Sequence, residues 1–224
     1  MPTAEVYGDS VSDSTMDPTI YGGGRWFDGV CNVMGWTRVG KGVSPADLTR
    51  GAIGGTTLQT ITGNSGATGV PVRIVPYTPA KLIIEYGTND FFYADDLNNP
   101  TTYAAAWDTM MTAILAMAVQ PTQIIVVGMT PLAAQGQQSV KPPPFNWAQD
   151  FQAVWQGLED VNKAKAEQYG ATYVDMTGMP VYWIGIPYGW DGVHPKSNFA
   201  QAYYTSQFLK AINPAKYWGC GSHP

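Results

Sequence analysis

Four short, nearly continuous apolar runs punctuate the chain: AEVYG (4–8), KLIIEYG (81–87), QIIVVGM (123–129) and ATYVDM (171–176). Unbroken apolarity is what a strand covered on both faces requires, so these runs predict buried parallel strands. Longer stretches whose apolar residues recur at three and four lie between and after them, at 102–120, 147–170 and 196–212. That spacing predicts helices. RWFDGVCNVMGW (25–36) predicts a first crossover helix, and Gly170 stands where a glycine ends a helix. A second strand is expected ahead of the loop GAIGGTT (51–57). Strand, helix, strand in this rhythm implies an α/β fold, a three-layer α/β/α sandwich around a central parallel sheet. The segments 12–24, 41–80 and 130–146, rich in Gly, Pro, Thr and Ser, predict long loops of the kind that carry function.

Composition narrows the class. With 45% hydrophobic and 13% charged residues, 224 residues suffice for one large core, and a single domain over 1–224 is expected. A net charge of -5, with twelve scattered basic residues, argues against a nucleic-acid-binding face, which needs clustered Lys and Arg. No apolar run reaches the roughly 20 residues that span a bilayer. No basic segment followed by an apolar stretch opens the chain, so no signal peptide is visible. Compartment and oligomeric state stay open: a cytosolic protein, a secreted or virion-associated one, or a domain excised from a larger chain. Cys31 and Cys220 lack metal-ligand spacing and are expected as a buried thiol and a free thiol near the C-terminus, a single disulfide being the alternative.

Ligands of open parallel sheets bind beyond the carboxyl ends of the strands, so chemistry is sought there. The first strand ends in Gly8-Asp9-Ser10 and the third in Gly87-Thr88-Asn89-Asp90, while GAIGGTT follows the second. A fourth polar cluster, WDGVHP (190–195), precedes the last helix. It holds His194, one of two histidines; the other, His223, sits in the terminal GCGSHP, a poor place for a rigid catalytic group. A histidine base would therefore be His194, with Asp191 placed to accept its Nδ1 proton across a tight turn. Each block also has a plain structural reading: GDS as a turn, GTND as a helix cap, DGVHP as a turn with a solvated histidine. Asp9 and Asp90 are expected to bond nearby backbone and steady these loops, and Asp175 to be structural.

GDSVS, the GxxGGT-type loop, GTND and DGVHP, in that order, resemble the four sequence blocks of the SGNH, or GDSL, hydrolase superfamily. The resemblance spans residues 8–195 and implies a flavodoxin-like fold, serine esterase or related acyl hydrolase activity, and no metal or organic cofactor. By that resemblance Ser10 matches the nucleophile, His194 the general base and Asp191 the residue that orients it. The oxyanion hole would comprise the N–H groups of Ser10 and Gly55 and the amide of Asn89. Gly54 is the alternative to Gly55, because Arg50 stands where the family often has asparagine. The aromatic segments FFY (91–93) and VYWIGIPYGW (181–190) suit core packing or a platform for a sugar ring. The expected substrate is a small-molecule or polysaccharide ester, with O-acetyl groups on a carbohydrate favoured. The alternatives are a lipase, thioesterase, arylesterase or acyltransferase of the same superfamily, or an inactive glycan-binding module.

Overall fold

The computed structural model describes residues 1–9, 11–12, 25–39, 51–53, 56–59, 70–71, 79–93, 99–131, 150–180, 194 and 198–214. Five strands form one parallel sheet: β1 (Thr3–Gly8), β2 (Thr37–Arg38), β3 (Lys81–Glu85), β4 (Ile124–Val127) and β5 (Thr172–Val174). Their order across the sheet is β2-β1-β3-β4-β5. The helices are α1 (Arg25–Met34), α2 (Thr88–Tyr93), α3 (Pro100–Ala116), α4 (Asp150–Tyr169) and α5 (Asn198–Ile212).

Alternation along each strand sorts the side chains into two cores. Tyr7, Leu82, Ile84, Ile124 and Val126 face Trp107, Met110 and Ile114 of α3 and Trp155 and Leu158 of α4. On the other face Val6, Ile83, Ile125 and Val127 meet Trp26, Phe27 and Val30 of α1 and Tyr204 and Phe208 of α5. Both faces are covered, which is why the strand runs are apolar without a break. Each large side chain so buried contributes roughly 1.5–3 kcal/mol over leaving it exposed.

The expected helices form with shifted ends. α3 starts earlier than its apolar spacing suggests, because the Asn99 side chain accepts the Thr101 N–H at 2.9 Å and Pro100 occupies the first turn. α4 ends as expected at Gly170, whose φ of +68° is readily adopted by glycine, while the Ala171 N–H returns to the Ala166 carbonyl at 2.9 Å. The second strand is only two residues long, at an edge of the sheet. Most of the three expected long loops, with Cys220 and His223, falls outside the described residues. Cys31 is a free buried thiol, and burial pushes its pKa up to about 12.

Candidate active site

The strand order reverses direction between β1 and β3, the switch point where a flavodoxin-like sheet opens a crevice at its carboxyl edge. The last register pair there is Gly8 opposite Glu85. A Cβ on Gly8 would lie 2.4 Å from the Glu85 carbonyl oxygen, so this close approach requires glycine. Beyond Gly8 the chain turns at once. Asp9, buried, accepts the Val11 N–H on Oδ1 at 2.9 Å, and the Ser12 N–H reaches the Asp9 carbonyl at 3.2 Å. The expected backbone role of Asp9 is thus realised.

The second block is tied to both strand ends. The Ile53 N–H donates to the Gly8 carbonyl at 2.9 Å, and the Thr56 hydroxyl lies 3.3 Å from the same carbonyl and 2.7 Å from that of Ile53. From the other side, the Asn89 Nδ2 donates to the Thr56 carbonyl at 2.9 Å. Asp90 accepts the Leu58 and Gln59 N–H groups at 2.8 and 3.1 Å, the backbone role expected of it. Burial pushes the Asp90 carboxyl up to about 7, against the lowering effect of those two donors. The ends of β1 and β3 are therefore joined by hydrogen bonds through Ile53, Thr56, Leu58 and Gln59.

Asn89 lies in the first turn of α2, buried, and its side-chain amide donates to the second block at the Thr56 carbonyl. His194 is 8% exposed, so it is not a solvated surface histidine. It stands four residues ahead of α5, whose Tyr204 reaches the final residue of β3, which places the N-terminal half of α5 at the carboxyl edge of the sheet. Ser10, Gly54, Gly55, Arg50 and Asp191 lie outside the described residues, as does 181–190. Of the FFY segment, Phe91 is fully buried in the core. Asp175 accepts the Thr177 N–H and hydroxyl at 2.9 and 2.6 Å, a local structural role.

A second set of polar groups lies just beneath this edge. Glu85 accepts the Tyr204 hydroxyl on Oε1 at 2.9 Å and is hydrogen-bonded through Oε2 to Ser12 Oγ. Burial first, then the negative charge of Asp9, pushes the Glu85 carboxyl up to about 8, while the bonds from Ser12 and Tyr204 act the other way. Glu159 of α4 accepts the Met129 N–H at 2.7 Å and the Tyr173 hydroxyl, and burial pushes it up to about 7. Neither carboxylate stood out in the sequence. The available signal was a glutamate closing an otherwise apolar strand run. Among the described residues no group of three or more His, Cys, Asp or Glu is arranged to hold a metal ion.

Chemically, the cluster fixes the Asn89 amide beside the edge where a small polar turn follows the first strand. The model of the GDSL-like lipase/acylhydrolase family matches residues 6–202. No curated protein sequence matches the chain. Among solved structures, a variant of an acetyl xylan esterase from Geobacillus stearothermophilus is similar, at 18% identity over 95% of this chain and 94% of that one, with a TM-score of 0.62. The lipase/acylhydrolase from Enterococcus faecalis is similar at 17% identity over 94% of each chain, TM-score 0.61. An α/β hydrolase from the metagenome of Lake Arreo, Spain, shows 15% identity over 93% of this chain and 94% of that one, TM-score 0.63. At such identities the likeness concerns the fold, which is that of the SGNH hydrolases. The family model, by contrast, matches nearly nine-tenths of the chain, a span that includes all four polar blocks, and on that ground the chain belongs to the GDSL-like lipase/acylhydrolase family and is a serine ester hydrolase.

Proposed function

We propose that the chain hydrolyses short acyl esters, foremost O-acetyl groups on a carbohydrate, with Ser10 as nucleophile. In this reading His194 Nε2 takes the Ser10 hydroxyl proton as Oγ attacks the acyl carbon, and Asp191 holds the imidazole by its Nδ1 proton. The oxyanion that forms is met by the N–H groups of Ser10 and Gly55 and by Asn89 Nδ2. Each such donor lowers the barrier by roughly 3–4 kcal/mol because it is fixed where the charge develops. The imidazolium then gives its proton to the departing alkoxide, and water repeats the sequence to release the acid. Serine and histidine suffice for both half-reactions.

The observation that carries this reading is the Asn89 to Thr56 hydrogen bond of 2.9 Å, taken with the Ile53 and Thr56 bonds to Gly8. The sequence neighbours of Ser10 and of the Gly54-Gly55 pair are thereby linked to Asn89. The preference for acetyl esters is supported by the low charge, by the aromatic run 181–190 leading to Asp191, and by the likeness to an acetyl xylan esterase. The likeness to a lipase/acylhydrolase from Enterococcus faecalis supports a lipase as the second reading.

A series of p-nitrophenyl esters from acetate upward, assayed with the wild type, Ser10→Ala and His194→Ala, tests both parts. Both variants are expected to lose at least about a thousandfold in kcat. Equal hydrolysis by all three proteins refutes the mechanism. Acetate release from acetylated xylan supports the substrate class; no release, with good cleavage of long-chain esters, assigns the lipase reading.

A further inference from the structure

The buried carboxyl group of Glu85 has no step in the ester chemistry above, yet three elements meet on it. Its position two residues after Ile83 puts the side chain on the α1/α5 face of the sheet, where it is 3% exposed. Ser12 reaches it from the turn after β1, and Tyr204 from α5 at 2.9 Å. The same two elements are joined a second time through Trp26. Its indole N–H donates to the Val11 carbonyl at 3.2 Å, and its ring stacks on Tyr204 with centroids 4.4 Å apart.

Each element leads within a few residues to a member of the proposed machinery. Ser12 follows Ser10 by two positions, Glu85 precedes Asn89 by four, and α5 begins four positions after His194. We propose that Glu85 is a positioning residue for ester hydrolysis, its carboxyl group fixing the Ser10 turn, the Asn89 strand end and the His194-bearing approach to α5 relative to one another. The inference rests on the roles assigned to Ser10, Asn89 and His194 under the proposed function. Asp9 from the β1 turn and Glu159 from α4 are the acidic groups that act on Glu85, and Tyr204 and Ser12 are its hydroxyl partners. With burial, the two acids keep the carboxyl neutral near pH 7, so it bridges its partners as a hydrogen-bonding group without a charge.

A residue that only stabilises the fold would lower the melting temperature and leave turnover of the folded protein unchanged. A positioning residue moves kcat, because small misplacements of reacting groups are costly. The test is kcat and KM for p-nitrophenyl acetate across the neutral to alkaline range for the wild type, Glu85→Gln, Glu85→Ala, Ser12→Ala, Tyr204→Phe and Ser10→Ala. Glu85→Ala is expected to lose about tenfold to a hundredfold in kcat with KM within about twofold. Glu85→Gln, which matches the neutral carboxyl in shape, is expected to restore most of that loss. It should also hold its rate to higher pH than the wild type, whose Glu85 ionises beside Asp9. Ser12→Ala and Tyr204→Phe each remove one oxygen, and they are expected to lower kcat several-fold even if Glu85→Ala fails to fold. Wild-type kcat in both of these, or a Glu85→Gln as impaired as Glu85→Ala, overturns the inference while Ser10→Ala remains inactive. Full activity in Ser10→Ala instead overturns the assignment beneath it, and the inference with it.

Discussion

Asn89 commits one amide hydrogen to the Thr56 carbonyl, and that bond fixes the direction of the other. A primary amide held in this way can serve a developing negative charge without first reorienting. Asn89→Ala is therefore expected to lower kcat for p-nitrophenyl acetate about a hundredfold to a thousandfold with little change in KM. Loss of the Thr56 tether adds only about 1 kcal/mol of destabilisation. The two effects separate cleanly, since chemical denaturation reads the tether and kcat reads the second hydrogen. A kcat near that of the wild type would reduce Asn89 to a tether alone.

The pairing of α3 with α4 depends on a polar group inside the first core. Asn162 of α4 accepts both the Tyr103 hydroxyl and the Trp107 indole N–H of α3 at 2.9 Å, and its amide donates to Glu159 at 3.1 Å and to the Tyr86 carbonyl at 3.3 Å. Asn162→Ala would leave two buried donors without their acceptor, at about 1–3 kcal/mol each. A loss of about 2–4 kcal/mol in urea-unfolding free energy is expected, whereas Trp107→Phe, which removes one donor and keeps much of the ring, should cost less. Elements such as these show what could be read from the chain and what could not. Helices α1, α3, α4 and α5 and the strands β1, β3, β4 and β5 follow from apolar spacing because that pattern is local, whereas the short α2 is not legible in this way and β5, at the edge of the sheet, buries only Val174. The two-residue strand Thr37–Arg38 leaves too short a pattern to read, and owes its existence to pairing with β1. Glu85, Glu159 and Asn162 look like ordinary polar positions in a strand and a helix. Their partners lie between 3 and 119 residues away, so only the folded chain reveals them. The strand-end blocks, in contrast, were legible because small polar clusters after apolar runs are themselves a local signal.

At the scale of the molecule, three carboxyl groups among the described residues, raised by burial, make stability depend on pH. Glu85 is pushed to about 8, and Asp90 and Glu159 to about 7, all above their ordinary values of 4.5, 3.8 and 4.5. Between the ordinary and the raised values the folded protein binds more protons than the unfolded chain. Stability from these groups is complete below about pH 4 and is lost as pH rises through 7 to 8. The melting temperature is therefore expected to fall between about pH 5 and pH 8.5, and Glu85→Gln should flatten the upper part of that slope. A calorimetric profile that instead rises over this range would show the carboxyls to be charged in the native state.

The stack of Trp26 on Tyr204 joins α1 to α5. A ribosome makes these two rings about 180 residues apart, and nearly the whole sheet lies between them in the order of synthesis. Until α5 emerges, the nascent chain holds its first strand and β3 with Glu85 still open to water on the side that Tyr204 will cover. Only once α5 has been made can Tyr204 close over Glu85, so this helix acts as a latch on the end of β3.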